Sequence, residues 1–245
     1  WEGSRTGVED YLRIHGLFLF ILVAFLVSET RTWMQNTRLH DFRIYGTVLW
    51  QTVAVLTALG GVMILLLLNH VKIGFVVLPL VAWAMAIMFL PGQAPAKRVV
   101  LALLTVGLVL TAVVELVRLQ GDISRMNTVF KFYLQVWTLF SVAAGAGLAW
   151  VWQQMPEWRP RNALRWKAGL GVLLLVSVSY TVLAVSAKMR DRITPVSPHT
   201  LDGMDYMRYA EYHDQGKRIR LAPDYGAIRW LQENATGSPV IVEAH

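Results

Sequence analysis

Residues 99–119, "VVLALLTVGLVLTAVVELVRL", decide the fold. Before Glu115 the run is broken only by Thr105, Gly107 and Thr111, so no side of a helix built from it is polar. A surface helix would keep one polar face; a helix that is apolar all round is buried or spans a membrane. Crossing a hydrocarbon layer about 30 Å thick takes about 20 residues at a rise of about 1.5 Å each. The run has that length. Reading outward from it gives five further blocks of the same kind, at 12–30, 45–68, 71–90, 128–152 and 168–187, with Pro91-Gly92 acting as a helix stop after the third.

Composition agrees. The 245 residues are 55% hydrophobic and 16% charged, with mean hydropathy +0.45; a soluble domain would be about a quarter charged. No cysteine is present, which excludes disulfides, thiolate metal sites and a cysteine nucleophile. The net charge of +7 would suggest nucleic acid in a soluble protein. Here the Lys and Arg lie between apolar blocks and in the tail, where membrane topology accounts for them, so no nucleic-acid partner is expected. The expected fold class is an all-α integral membrane helical bundle of about six transmembrane helices over 1–187. A small outward-facing α/β soluble region is expected to begin in the extramembrane segment 188–245.

Orientation follows from the basic residues at span ends. One side carries Arg31, Arg38, Arg43, Lys97, Arg98, Arg159, Arg161, Arg165 and Lys167; the other carries six before the tail is counted and nine once Lys188, Arg190 and Arg192 are added. The first side is taken as cytoplasmic, which makes the protein a multi-pass plasma membrane protein with its tail outside. Trp150, Trp152 and Trp158 suit an interfacial aromatic belt. Gly60-Gly61, Ala143–Ala149, Gly169 and Gly171 are expected to allow close helix approach. The chain opens on Trp1 and closes on the apolar run "PVIVEAH", so it reads as a piece of a larger protein.

In the tail, Pro195 and Pro198 imply an extended path. Asp224 is expected to cap a short helix over 225–234, stopped by Thr236-Gly237, and "PVIVEA" to form a buried strand. Asn234-Ala235-Thr236 matches a glycosylation sequon.

The chemistry-bearing stretch is "GDISRMNTVFKFYLQVW", residues 121–137. On a helix, Asn127, Lys131, Gln135 and Thr138 share one polar stripe, expected to face the bundle interior. Met126, Phe130, Tyr133, Trp137 and Phe140 form an aromatic stripe that packs on neighbours or lipid. Asp122 is expected to cap the helix at the backbone N–H of Arg125. The positive helix end with Arg125 and Lys131 suits a phosphate or carboxylate. Glu115, costly at its depth unless paired, has Arg125 and Lys131 as its nearest cationic partners along the chain. The substrate-binding candidates are therefore Asp122, Arg125, Asn127, Lys131 and Gln135, with Glu115 as an ion-pair partner.

The order Arg125, Met126, Asn127, Thr128, Val129, Phe130, Lys131, Tyr133, Gln135, Trp137 resembles the signature of a family of large multi-spanning bacterial and archaeal membrane proteins whose defining region is called the YYY domain. "IHGLFLF" at 14–20 and "APDYGAIRWLQENATGSPVIVEA" at 222–244 are similar to segments of the same family. That family is similar to the GT-C class of glycosyltransferases. The resemblance implies a multi-helix membrane domain followed by an outward soluble domain, a polyprenyl-phosphate-linked sugar as donor, and an acidic catalytic residue in a first outward loop. The tyrosine-rich motif is absent from these residues, and no catalytic acid is carried over.

Three functions compete: a membrane glycosyltransferase, a transporter or flippase-like protein, and a structural or assembly subunit of a membrane complex. The expected partners are the lipid bilayer, a polyprenyl-phosphate lipid, and the rest of the polypeptide or other membrane subunits. Few polar residues lie inside spans one, two, three and six, which weighs against a transport path. His15, His40, His70, His199, His213 and His245 are scattered without metal-site spacing, so no divalent metal is indicated, and the lipid-linked sugar donor enters as substrate. Asp202, Asp205 and Asp214 read as solvated, and Glu243 and His245 as the end of a strand. There is no phosphate loop, dinucleotide fingerprint or nucleophile elbow.

Overall fold

A computed structural model describes residues 5–36, 46–117, 119, 125–192, 196–238 and 240; within these, the side chains of 46–53, 55, 56 and 192 are outside the description. Six helices come first: α1 (Val8–Asn36), α2 (Gly46–Leu68), α3 (Gly74–Met88), α4 (Pro95–Leu116), α5 (Arg125–Gln154) and α6 (Pro160–Arg192). The strands β1 (Glu211–Asp214) and β2 (Lys217–Arg220) and the helix α7 (Ala222–Asn234) follow. α1, α4, α5 and α6 are long and apolar enough to cross a membrane. The chain is thus a helical membrane bundle with a small α/β region at its C-terminal end. It divides into two compact units, Trp1–Leu174 and Leu175–His245.

In the first unit α1, α5, α4 and α3 pack as a closed ring of four, each helix touching the next, and α2 packs on α3. The shared core holds Leu22, Phe25, Leu101, Leu104, Leu108, Val136 and Phe140, all buried. Local signals start the helices: Glu9 and Asp10 oppose the dipole in the first turn of α1, and Pro95 occupies the start of α4 after extended Ala94.

Each end of α4 is tied into the bundle by a buried carboxylate. At one end Lys97 Nζ meets Glu29 Oε1 at 2.6 Å, and Gln93 donates to the same carboxylate at 3.1 Å. At the other end Glu115 pairs with Arg125. Lys97 and Glu115 are separated along the helix by about 27 Å, close to one hydrocarbon thickness. That spacing would let the two ion pairs stand at the two rims of an apolar layer.

Several expectations are corrected. The third span is shorter than 71–90: α3 covers Gly74–Met88, because turns at Asn69–Lys72 and Phe89–Gly92 take its flanks. α6 extends well beyond 168–187 at both ends, because Arg161, Arg165 and Lys167 remain helical with their charged heads exposed. Among the small residues expected to seat neighbours, Gly147 lies against Phe25 and Gly169 against Phe20. Gly60, Gly61, Gly145 and Gly171 face open space. The tightest approach is at Gly107, where a Cβ would stand 2.5 Å from the Phe140 ring.

In the second unit β1 and β2 form an antiparallel hairpin with Tyr212 opposite Ile219. Gln215 and Gly216 both have positive φ, 47° and 79°, the backbone of a two-residue turn of type I′. Arg208 donates to the Tyr225 hydroxyl at 2.8 Å and stacks on its ring, joining the turn at Asp205–Arg208 to α7. Asp224 lies inside the first turn of α7 and is not its cap; Leu221 occupies that position and Pro223 supplies the start. The helix ends at Ala235, before Gly237 at φ +79°. The expected "PVIVEA" strand lies largely outside the described residues.

Candidate functional site at the head of α5

The last turn of α4 and the first turn of α5 converge on the segment before α1. Glu115 is fully buried. One carboxylate oxygen, Oε2, accepts the Thr6 backbone N–H at 3.2 Å; Oε1 accepts the Thr6 hydroxyl at 2.6 Å and pairs with the Arg125 guanidinium. Arg125 also donates to Thr6 Oγ1 at 3.0 Å. A buried carboxylate needs this many partners, because a charge left unpaired in a low dielectric costs several kcal/mol. Burial pulls the Arg5 guanidinium below the ordinary arginine range, Glu115 opposing that shift and Arg125 adding to it. Thr128, also buried, accepts the Leu119 backbone N–H at 3.2 Å and holds the α4–α5 connection.

Buried polar groups continue inward from this rim. The Thr111 hydroxyl donates to Leu108 O at 2.6 Å, so the Tyr11 hydroxyl, 3.2 Å away, donates to Thr111. His15, fully buried, lies against the rings of Tyr11 at 4.8 Å, Tyr133 at 4.9 Å and Phe140 at 5.6 Å. Among the described residues neither His15 nitrogen has a hydrogen-bond partner. Below His15 the ring core is apolar through Leu22, Phe25 and Leu26. Thr6, Tyr11, Thr111 and His15 were not singled out as site residues by spacing, although His15 sits in the "IHGLFLF" segment.

The sequence candidates fall into two groups. Arg125 turns inward onto Glu115. Asn127 is half-buried, and Lys131 and Gln135 are exposed on the opposite side of α5. Asp122, with its expected cap, lies outside the described residues. The expected inward polar stripe is therefore corrected: the side of α5 that enters the bundle carries Thr128, Tyr133, Val136 and Phe140. The aromatic stripe splits, with Tyr133 and Phe140 inside and Met126, Phe130 and Trp137 exposed. The cause is rotational. At about 100° per residue Tyr133 and Phe140 lie across the helix from Asn127, Lys131 and Thr138, and the Glu115–Arg125 pair together with the His15 contacts fixes which side turns in. Gln135 lies about 15 Å along the helix from Arg125, near mid-layer if that pair marks the rim.

Among the described residues no cluster of three His, Asp or Glu side chains is placed to hold a metal ion. What the site offers is a closed ion pair within, and an outward face where the Lys131 ammonium and the Asn127 amide stand beside Phe130 and Leu134.

A ring of long apolar helices with buried ion pairs at both ends of α4 defines an integral, polytopic membrane protein. A family model described as Uncharacterized membrane protein (DUF2298) matches residues 2–140, and the chain belongs to that family. The match takes in the "IHGLFLF" segment and the whole of 121–137, and ends before 222–244. No curated protein and no solved structure matches the chain.

Proposed function

We propose that this protein is a membrane glycosyltransferase that takes its sugar from a polyprenyl-phosphate carrier, with the outer face of α5 meeting the carrier. The observation that carries this reading is the composition of that face. Asn127 and Lys131 lie on a helix long and apolar enough to cross a membrane, beside the exposed Phe130 and Leu134, with Gln135 further round the same helix. A ligand with a phosphate at one end and an isoprenoid chain at the other matches the cationic and the apolar parts of the face.

Lys131 then stabilises the charge that grows on the carrier phosphate as the sugar leaves it for an acceptor hydroxyl, whose proton passes to a base. Asn127 and Gln135 donate to phosphate or sugar oxygens. Arg125, held by Glu115, positions the helix and does not touch the phosphate. In the same reading the basic rim faces the cytoplasm and the head of α5 faces outward.

The test is sugar transfer from a polyprenyl-phosphate-linked donor by the intact protein in nanodiscs. Lys131→Ala is expected to lower kcat/KM about tenfold or more, the size of one charge-assisted hydrogen bond, and Lys131→Arg to keep most of it. Wild-type activity indifferent to Lys131→Ala, or no transfer from any such donor, would overturn the reading.

One observation favours a second reading, an assembly subunit: the Glu115–Arg125–Thr6 cluster closes on itself, with its ion pair turned inward. The polar face of α5 would then meet a transmembrane helix of another subunit. A partner retained through purification, together with loss of that partner in Gln135→Leu, would favour it. A transport path finds little support, since the buried polar groups end at His15.

A further inference from the structure

His15 is a buried ionisable group that the proposed reaction leaves unused. The buried His, Asp and Glu side chains among the described residues are His15, Glu29 and Glu115. Each glutamate has its cation, Lys97 for one and Arg125 for the other. His15 has no such partner: both ring nitrogens are buried without a hydrogen bond. A buried polar group in that state costs stability, so its presence calls for a physical reason.

Its surroundings are rings. Tyr11 stands one turn before it on α1, and Tyr133 and Phe140 meet it edge-on from α5 at 4.9 and 5.6 Å. The imidazole thus sits in the seam where α1 packs on α5. The titratable and charged groups toward it are Tyr11 of α1, Glu115 of α4, and Arg125 and Tyr133 of α5. The Tyr11 hydroxyl is engaged with Thr111, one turn before Glu115 on α4. Glu115 and Arg125 are taken by each other and by Thr6. An uncharged imidazole fits this place as a flat ring. An imidazolium would bring a charge and two N–H donors into a seam that offers it no acceptor, and such burial is costly.

We infer that His15 is a proton-sensitive lock between α1 and α5: uncharged it closes the seam, and protonated it drives the two helices apart. The lock concerns the inner side of α5 and stands whether or not the glycosyltransferase reading of the outer side does. His15 lies about 9 Å along α1 from the exposed Glu9, so its proton is exchanged at the end of the bundle where α5 begins. In the unfolded chain a histidine takes up its proton near about pH 6.5. A fold that admits only the uncharged ring has its full stability above that pH and loses it as the pH falls.

Thermal unfolding of the full chain in detergent at pH 7.5 and 5.5 tests the charge. Between these the folded-to-unfolded ratio of wild type is expected to fall about tenfold more than that of His15→Phe, which is about 3–5 °C in melting temperature. His15→Gln, smaller and equally unable to take a proton, is expected to match His15→Phe. The exposed His70, His199 and His213 titrate alike in all three proteins and cancel. Spin labels at Glu9→Cys and Leu134→Cys, both exposed on a chain without cysteine, test the movement. Their separation is expected to lengthen at pH 5.5 when His15 is present and to stay fixed in either variant. The same pH dependence of melting in wild type and the two variants would overturn the lock. So would an unchanged label separation, which would leave a titrating side chain that moves nothing.

Discussion

Glu115 and Arg125 are among the most consequential residues in the bundle, and what they do is decided by dielectric. Glu115 is fully buried, and its two oxygens take the Thr6 amide, the Thr6 hydroxyl and the Arg125 guanidinium. Removing one member leaves a charge in an environment that cannot solvate it. Arg125→Ala is therefore expected to lower stability by about 3–5 kcal/mol, read as a fall in unfolding temperature in detergent. Adding Glu115→Gln, which removes the stranded charge, is expected to restore most of that loss. A loss confined to activity, with the melting temperature unchanged, would instead make Arg125 a substrate contact. Lys131, one and two-thirds turns further on, is exposed, so its loss should cost far less stability, and in the proposed reading it acts on the carrier phosphate.

At the scale of the elements, the packing of α4 on α5 turns on one contact. Gly107 lets the Phe140 ring lie against the α4 backbone, and a Cβ there would stand 2.5 Å from Cε1 and 2.9 Å from Cδ1. Gly107→Ala is expected to cost about 1–3 kcal/mol through overpacking, measured by the same melt, with recovery in Gly107→Ala/Phe140→Leu. Gly145→Ala, which meets open space, serves as the neutral control. Legibility followed the same physics. The long runs were readable because lipid tolerates few polar groups over about 20 residues, as at 99–119. Their ends were not, because Arg161, Arg165 and Lys167 stay helical while their heads snorkel. A run that is apolar all round does not say which face turns inward, so Gly107 passed unnoticed and His15 looked isolated. The polar stripe of α5 was visible as a stripe, but its direction depended on Thr6 and His15, more than a hundred residues away. The Glu211–Arg220 hairpin escaped because its strands are four residues long and its Gln-Gly turn lacks the usual Asn-Gly or Asp-Gly signal.

At the scale of the molecule, two buried ion pairs about one hydrocarbon thickness apart imply that α1 carries Glu9 on one side of the membrane and Glu29 at the other. The basic residues then choose the side. Arg31, Arg98, Arg159 and Arg161 are exposed, and in the proposed orientation their side is the cytoplasmic one, as the positive-inside rule would have it. The chain has no cysteine, so a single introduced thiol reports without background. Glu9, Asn162 and Thr200 are exposed and carry it, one variant at a time. A membrane-impermeant maleimide added outside intact cells is expected to label Glu9→Cys. It should reach Asn162→Cys only after the membrane is opened, because Asn162 follows the Glu29 rim by way of Gln154 and Trp158. Thr200→Cys reports which side the tail takes, and labelling from outside is the outcome that an outward tail expects. Labelling of Asn162→Cys alone from outside would invert the protein and turn the α5 face toward the cytoplasm. Equal labelling of Glu9→Cys and Asn162→Cys in intact cells would mean that the two ion pairs do not lie at opposite surfaces, and would remove the depth argument for Lys131 and Gln135.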